Sequence, residues 1–371
     1  MANPLSQLHS AGVSVWLDFL SRDMLTSGEL VKRIERDSLR GQTSNPTIFE
    51  QVISEGDAYD DDIRAGVKAG KSAEDICWEL MASDVQDACD VFRPLYEESG
   101  GEDGYVSLEL NPEKAHDTAY SISQAEELWG RVDRPNLMLK VPGTKEGLPV
   151  IEELIWQGMN VNVTLLFAVE RYEEVMDAFM KGLERRLEAG KSVKGIASVA
   201  SFFISRVESE VDKRLSKLDG GKALQGQTAV ANARMAYKAF QERFASPRWK
   251  KLEAAGASLQ RPLWASTSTK NPDYKDTMYV DELIGPHCVN TMPDATIEAF
   301  ADHGTVERTL TAETIAQAAE VLKKVSAAGV DLEDVTLNTL VVEGVRKFAD
   351  SYKSLLSTLE DSMKQLERVA S

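Results

Sequence analysis

The residue with the clearest capacity for chemistry is Lys140, which lies in an otherwise apolar run. Residues 137–141 read LMLKV, and Pro142, Gly143 and Thr144 follow directly. A run that is apolar at consecutive positions is typical of a buried strand, whose interior normally excludes an ammonium group. Burial weakens the hold of a lysine on its proton, and the neutral amine attacks carbonyls to form Schiff bases. The alternative is a lysine at a strand end whose head group reaches water.

The elements that would position Lys140 alternate between short apolar runs and amphipathic segments. The runs predict eight strands, at residues 13–18, 41–46, 105–110, 137–141, 161–167, 195–203, 262–266 and 287–292. Amphipathic patterns between most of them predict helices. This alternation indicates a parallel sheet, and eight units favour an α/β fold of the closed (β/α)8 TIM barrel type with additional helices. A doubly wound open sheet is the alternative, although no Gly-x-Gly-x-x-Gly motif follows any strand.

Length and pattern favour a single domain over residues 1–371, because no linker rich in proline, glycine or serine divides the chain. An apolar helical stripe near the end predicts a C-terminal helix that packs on the barrel, with a dimer seam as the alternative. Its positions are Leu355, Leu356, Leu359, Met363, Leu366 and Val369. The oligomeric state that we expect is a monomer or a homodimer.

Charge and composition limit the partners. The formal net charge of -18 opposes binding to nucleic acid or to an anionic membrane, so any anionic substrate needs a local cluster of cations. Three cysteines without a CxxC pair, and four histidines with none three or four positions apart, predict no metal site. The start of the chain lacks the features of a signal peptide, and no run is long enough to span a bilayer, so we expect a cytoplasmic protein.

Polar side chains near the predicted strand ends form one candidate site, because the active sites of such barrels lie at the C-terminal ends of the strands. Hydroxyls and amides in this set suit a polyol, and its basic residues suit a phosphate group. The set consists of Asp18, Thr43, Asn45, Glu109, Lys140, Asn162, Thr164, Ser201, Arg206, Ser268 and Lys270.

Some members of this set have an alternative in local structure. Asp18 could cap the helix after the first strand, and Asn45 before Pro46 could start a turn. Asn162 and Thr164 match the pattern of a glycosylation acceptor, which an apolar strand in a protein without an export signal argues against.

The two basic residues also have ordinary alternatives. Arg206 could form a surface ion pair with Glu208 or Glu210, and Lys270 could be a loop lysine without a special role. Only their shared position at strand ends raises them to candidates for phosphate binding.

Four motifs, in this order, resemble the transaldolases, a family of Schiff-base-forming class I aldolase-like barrels. They are GQTSNPTIF at 41–49, LMLKVPGTKEG at 137–147, NVNVTLLF at 160–167 and SFFISR at 201–206. The resemblance implies that a dihydroxyacetone unit passes from a ketose phosphate, sedoheptulose 7-phosphate or fructose 6-phosphate, to an aldose phosphate, glyceraldehyde 3-phosphate or erythrose 4-phosphate. It places this transfer in the non-oxidative pentose phosphate pathway and requires no cofactor.

The resemblance also implies roles for the catalytic residues. Lys140 would form the imine with the ketose phosphate, and Asp18 would take the proton of the C4 hydroxyl as the C3–C4 bond breaks. Glu109 and Thr164 would hold the water that relays protons during imine formation.

Substrate binding would fall to a second group. Asn45 and Asn162 would bind hydroxyls of the dihydroxyacetone fragment, and Thr43 and Ser201 would support that pocket. The full group that the resemblance implies is Thr43, Asn45, Asn162, Ser201, Phe203, Arg206, Ser268 and Lys270, in which the last three hold the phosphate.

The chain departs from the family pattern in three ways. Lys270 stands where better-known members carry arginine, Gln42 replaces a small or aliphatic residue, and the helical region 207–257 is longer than in compact members. The nearest rival is a fructose-6-phosphate aldolase, which releases dihydroxyacetone to water and typically carries Gln and Tyr at the positions of Glu109 and Phe203. A sugar-phosphate-binding barrel without catalysis is the rival from another class.

Overall fold

A computed structural model describes residues 3–370 and shows a closed barrel of eight parallel strands. The strands are β1 Val13–Asp18, β2 Leu39–Thr43, β3 Tyr105–Glu109, β4 Leu137–Pro142, β5 Val161–Leu166, β6 Ser198–Phe203, β7 Gln260–Ala265 and β8 Cys288–Met292. Each strand pairs with the next along the chain, and β8 closes the barrel onto β1. The predicted TIM barrel is confirmed, and the alternative of an open doubly wound sheet is wrong.

Helices connect and surround the strands. They are α1 Pro4–Ser10, α2 Arg22–Thr26, α3 Glu29–Arg36, α4 Pro46–Ser54, α5 Asp60–Lys68, α6 Ala73–Glu98, α7 Thr118–Val132, α8 Gly147–Gln157, α9 Val169–Glu188, α10 Ser205–Leu215, α11 Thr228–Phe244, α12 Pro247–Ala254, α13 Met278–Asp281, α14 Asp294–His303, α15 Ala312–Ala327 and α16 Leu340–Ala370. Short 3-10 segments lie at Pro112–Lys114 and Gly221–Leu224, and a π-helical segment at Asp334–Thr339 leads into α16.

The second strand ends earlier than the predicted range 41–46. Asn45 leaves the strand, and its side-chain oxygen accepts hydrogen bonds from the backbone N–H groups of Thr47 and Ile48, both at 3.1 Å. Pro46 then occupies the first position of α4. Proline cannot donate to a sheet but suits the first turn of a helix, so the apolar run changes here from strand to helix.

The C-terminal helix α16 packs along α4 and α5 and also touches the end of β5. Its side chains Phe348, Tyr352, Leu355 and Leu359 are buried. The predicted apolar stripe therefore contacts helices of its own chain, and the side chain of Val369 lies outside the described residues.

A buried ion pair occupies the N-terminal end of the barrel. Arg261, at the start of β7, donates to Asp103 Oδ1 at 3.1 Å and to Ser14 Oγ at 2.6 Å. The same guanidinium donates to the backbone carbonyl oxygens of Glu102 and Cys288, at 3.0 and 3.1 Å. Four hydrogen bonds thus join the beginnings of β1, β3, β7 and β8 through one arginine.

Two possible features are absent from residues 3–370. No helix there is both long and apolar enough to cross a membrane. No group of three or more His, Cys, Asp or Glu residues is placed to hold a metal ion. Cys77, Cys89 and Cys288 are buried as free thiols.

Candidate active site

A cavity of about 630 Å³ opens at the C-terminal end of the barrel. Strand ends from around the barrel contribute its walls, and the start of α16 forms one side of its mouth. All the predicted site residues border it except Glu109 and Asn162.

Lys140 lies at the floor of this cavity and is only 5% exposed. Its Nζ donates to the backbone oxygen of Ser44 at 3.0 Å and to Oε2 of Glu109 at 3.2 Å. Parallel pairing places Glu109 opposite Lys140 on one side and Asn162 opposite it on the other, which puts the three in one layer of the barrel. The alternative in which Lys140 reaches bulk water from a strand end is therefore wrong.

Glu109 is the buried partner of Lys140 and is 6% exposed. Burial raises the pKa of Glu109, and the charge and hydrogen bond of Lys140 oppose that rise. Its second oxygen, Oε1, has no hydrogen-bond partner among the described residues. A carboxyl with a raised pKa and one uncommitted oxygen is suited to take up and return a proton.

Thr164 supplies a second uncommitted polar group. Its Oγ1 is buried, borders the cavity and has no hydrogen-bond partner within residues 3–370. The next residue, Leu165, has φ 59°, and the pairing of β5 with β6 is irregular there. A bulky residue in the left-handed region is a strained conformation, and such strain is concentrated at functional sites.

Asp18 is half-buried at the end of β1 and is oriented by its neighbours. Thr43 Oγ1 donates to Asp18 Oδ1 at 2.7 Å and lies 2.7 Å from Thr291 Oγ1. The helix after β1 is capped by Ser21, so the interpretation of Asp18 as a helix cap is wrong. Asp18 therefore presents a hydrogen-bonded carboxylate to the cavity.

The two asparagines of the candidate site differ in position. Asn162 is fully buried, and its Nδ2 donates to Ser107 Oγ at 3.0 Å while its Oδ1 accepts from Ser201 Oγ at 2.7 Å. Both polar atoms of the Asn162 side chain are thus hydrogen-bonded to other side chains. The predicted contact of Asn162 with substrate stays a prediction. Asn45 borders the cavity, and because its oxygen caps α4, its Nδ2 is the group it can offer to a ligand.

Arg206 lies half-buried at the cavity wall between two aromatic rings. Its guanidinium carbon is 5.0 Å from the ring centre of Phe203 and 5.8 Å from that of Phe348. Arg206 forms no ion pair within the described part of the chain. Glu208 instead accepts from backbone N–H groups at the start of α11, and Glu210 pairs with basic residues of its own helix. The predicted alternative of a surface ion pair is wrong.

Lys270 and Ser268 lie in the loop after β7, on the same side of the cavity as Arg206. Lys270 Nζ donates to Ser268 Oγ at 2.6 Å. Burial lowers the pKa of Lys270, and the positive charges of Lys347 and Arg206 lower it further. A cluster of positive charges of this kind favours a bound anion.

Sequence reasoning missed the residues that α16 brings to the cavity, which include Leu340, Glu343, Lys347 and Phe348. The available signal was their helical spacing, which puts them on one face. Spacing alone does not tell which end of the barrel that face covers. Thr291 of β8, which contacts Thr43, was also missed.

The sequence matches the family described as Transaldolase/Fructose-6-phosphate aldolase over residues 15–359. It is 50% identical to a transaldolase of Parafrankia sp. over 98% of this chain and 99% of the relative. It is 50% identical to transaldolases of Thermobifida fusca, over 98% of this chain and 99% of that one, and of Mycobacterium bovis, over 95% and 96%. The predicted resemblance is confirmed: the chain belongs to the transaldolase/fructose-6-phosphate aldolase family.

Proposed function

We propose that this enzyme moves a dihydroxyacetone unit from a ketose phosphate to an aldose phosphate in the non-oxidative pentose phosphate pathway. The donor would be sedoheptulose 7-phosphate or fructose 6-phosphate, and the acceptor glyceraldehyde 3-phosphate or erythrose 4-phosphate. The observation that carries the proposal is the buried Lys140 amine, paired with Glu109 at the floor of a cavity whose mouth holds Arg206 and Lys270. The relatives at 50% identity, all named transaldolase, support transfer over simple cleavage.

In the proposed reaction, Lys140 passes its proton to Glu109 and attacks the ketose carbonyl carbon, C2. The oxygen leaves as water, with Glu109 and Thr164 relaying the protons, and an imine remains. Asp18 then takes the proton of the C4 hydroxyl, the C3–C4 bond breaks, and its electron pair enters the imine system as an enamine. The first aldehyde departs, and the three-carbon unit stays bound to Lys140.

The second half of the reaction reverses these steps with a new aldehyde. The enamine carbon attacks the acceptor carbonyl, Asp18 returns its proton to the new hydroxyl, and water releases the product ketose from Lys140. Arg206, Ser268 and Lys270 would hold the phosphate of the donor ketose until the first aldehyde leaves with it, and then the phosphate of the acceptor aldehyde. Asn45 would bind a hydroxyl, and Phe203 would stack on Arg206.

The test is borohydride reduction in the presence of fructose 6-phosphate, with and without erythrose 4-phosphate, followed by intact-mass measurement and peptide mapping. We expect a reduced three-carbon adduct on Lys140 that disappears when the acceptor is present. An adduct that ignores the acceptor would support a fructose-6-phosphate aldolase instead. The absence of any adduct would leave a sugar-phosphate-binding barrel and overturn the proposal.

We also propose that the enzyme acts in the cytoplasm as a monomer or a homodimer. Its partners would be small phosphorylated sugars rather than nucleic acids or membranes, as the net charge of -18 favours. Light scattering after size-exclusion chromatography, with and without substrate, measures the assembly, and cell fractionation measures the location.

A further inference from the structure

The mouth of the cavity carries three cations, Arg206, Lys270 and Lys347, here called the mouth cluster. None of the three forms an ion pair with any residue between 3 and 370. Lys213 also borders the cavity, but its charge is matched by Glu210 at 3.0 Å. The chain as a whole carries a net charge of -18, so this concentration of unmatched positive charge is local.

Lys347 comes from a different part of the fold than the other two cations. It is exposed near the start of α16, whereas Arg206 lies in the first turn of α10 and Lys270 in the loop after β7. The helix approaches the cluster closely at Gly344, where a Cβ would lie 3.5 Å from Nη1 of Arg206 and 3.0 Å from the side chain of Leu165. A single helical segment therefore contacts Arg206 and brings Lys347 within electrostatic range of Lys270.

The residues on either side of Lys347 support the same placement. Phe348 packs beneath the Arg206 guanidinium at 5.8 Å, so α16 supports this arginine from outside the barrel. The positive charge of Lys347 is also one of the causes that lower the pKa of Lys270. Glu343, one turn earlier, borders the same cavity and acts on Arg206 as an opposing charge.

We propose that Lys347 is a third phosphate-binding residue, through which the C-terminal helix sets the preference of the enzyme for phosphorylated over unphosphorylated ketoses. The inference rests on the proposed function and deepens it. Arg206 supplies a planar fork for two phosphate oxygens, and the two lysines supply mobile point charges from two different elements. Without Lys347, the charge of Glu343 would dominate the α16 side of the mouth and repel the same phosphate.

The test compares Lys347→Gln with Lys353→Gln as the matched control. Lys353 lies on the same helix, pairs with Glu113 at 3.4 Å and does not border the cavity. KM and kcat are measured with fructose 6-phosphate, and the rate of borohydride-trapped adduct formation is measured with fructose 6-phosphate and with fructose. Inorganic phosphate serves as a competing anion, and its inhibition constant is measured for each variant.

We expect Lys347→Gln to raise KM for fructose 6-phosphate and the inhibition constant for phosphate by roughly three- to fivefold, as a solvated charge pair allows. The rate with fructose, kcat and the Lys353→Gln control should stay within about twofold, and Lys347→Arg should restore KM. Unchanged constants in Lys347→Gln would overturn the inference. Equal losses with fructose and fructose 6-phosphate would also overturn it, because α16 would then act only as a support.

The inference can fail separately from the proposed function. If the wild-type enzyme turns over no ketose phosphate, the proposed function fails. Phosphate binding, followed as a shift in the thermal midpoint of wild type and Lys347→Gln, then decides the role of Lys347 without any turnover. A smaller shift in the variant supports phosphate binding by Lys347, and equal shifts overturn it.

Discussion

The two ends of the barrel each hold a buried ion pair, and the pairs differ in the cation used. At the N-terminal end Arg261 is held by four hydrogen bonds to Asp103, Ser14 and two backbone oxygens. At the C-terminal end Lys140 pairs with Glu109, whose Oε1 has no hydrogen-bond partner among the described residues. An arginine keeps its charge in any protein environment, whereas a buried lysine can lose its proton. The first pair is suited to hold strands together, and the second to react.

The largest effect should come from removing the amine of Lys140, which we propose forms the imine. We expect Lys140→Ala and Lys140→Arg to lower kcat/KM by roughly ten-thousandfold or more, because neither side chain forms an imine. Lys140→Arg keeps a cation beside Glu109 and so makes the pair at the C-terminal end resemble the Arg261–Asp103 pair. A coupled assay and adduct trapping measure the loss of activity. The control is Lys145→Ala, a substitution at an exposed lysine nearby. Near-normal turnover in Lys140→Ala would refute the mechanism.

Loss of the Arg261–Asp103 pair at the N-terminal end should affect stability rather than catalysis. We expect Arg261→Met to lower the free energy of unfolding by about 3–5 kcal/mol, because Asp103 is left buried without its partner. The folded fraction should keep kcat/KM within about twofold. Urea unfolding measures the change, and Arg64→Met, which removes an exposed pair on α5, should cost under about 1 kcal/mol. A large kinetic defect in Arg261→Met would contradict the assignment of stability to the N-terminal end and of catalysis to the C-terminal end.

A third buried acid, Glu208, tests the same contrast between buried groups that stabilise the fold and buried groups that are suited to react. Its two oxygens accept from the backbone N–H groups of Thr228 and Ala229, and burial, with the charge of Asp212, raises its pKa to about 7. A carboxyl with a raised pKa in the folded state favours folding at low pH. The free energy of unfolding of the wild type, relative to Glu208→Gln, should therefore fall by roughly 3 kcal/mol as pH rises from about 4.5 to 7.

Above about pH 7 this difference should stay constant, since Glu208 is then ionised in both states. Chemical unfolding of both proteins between pH 5 and 8 measures it. A difference that does not change with pH would show that Glu208 carries its charge throughout. Turnover should remain within about twofold, because Glu208 does not border the cavity.

In the proposed mechanism Asp18 moves a proton but forms no covalent bond, so its loss should cost less than that of Lys140. We expect Asp18→Ala to lower kcat about a hundredfold, the usual contribution of a positioned acid or base. Formation of the imine on Lys140 should continue, so borohydride should trap an unbroken six-carbon adduct with fructose 6-phosphate. Loss of all adduct in Asp18→Ala would assign Asp18 to an earlier step.

A substitution at the mouth of the cavity should have the smallest effect, and it should change substrate binding alone. We expect Lys270→Ala to raise KM for fructose 6-phosphate by roughly five- to tenfold with kcat nearly unchanged, because one charge-assisted contact to phosphate is lost. Lys270→Arg should keep KM low, because an arginine there would still offer a positive charge to the phosphate. Steady-state kinetics with both variants measure KM and kcat separately. A fall in kcat without a rise in KM would contradict the prediction.

The sequence predicted best what depends on a single strand. Lys140 is recognisable because five consecutive residues determine its burial, and the barrel places Asp18 and Thr164 by a rule about strand ends. The prediction failed at the end of β2, where the run could continue as a strand or begin a helix. Asn45 caps α4 there and Pro46 begins it, because proline suits the first turn of a helix and not a sheet. Lys347 was missed for the opposite reason, since its place depends on how a distant helix packs across the barrel.

The position of α16 also has a consequence for how the enzyme is made. Synthesis proceeds from the N-terminus, so Lys140 leaves the ribosome long before Leu340–Ala370 does. A nascent chain that has closed its barrel between β1 and β8 still lacks Phe348 beneath Arg206 and the cavity wall that α16 supplies. The mouth of the cavity is therefore completed only after all eight strands of the barrel have been synthesised.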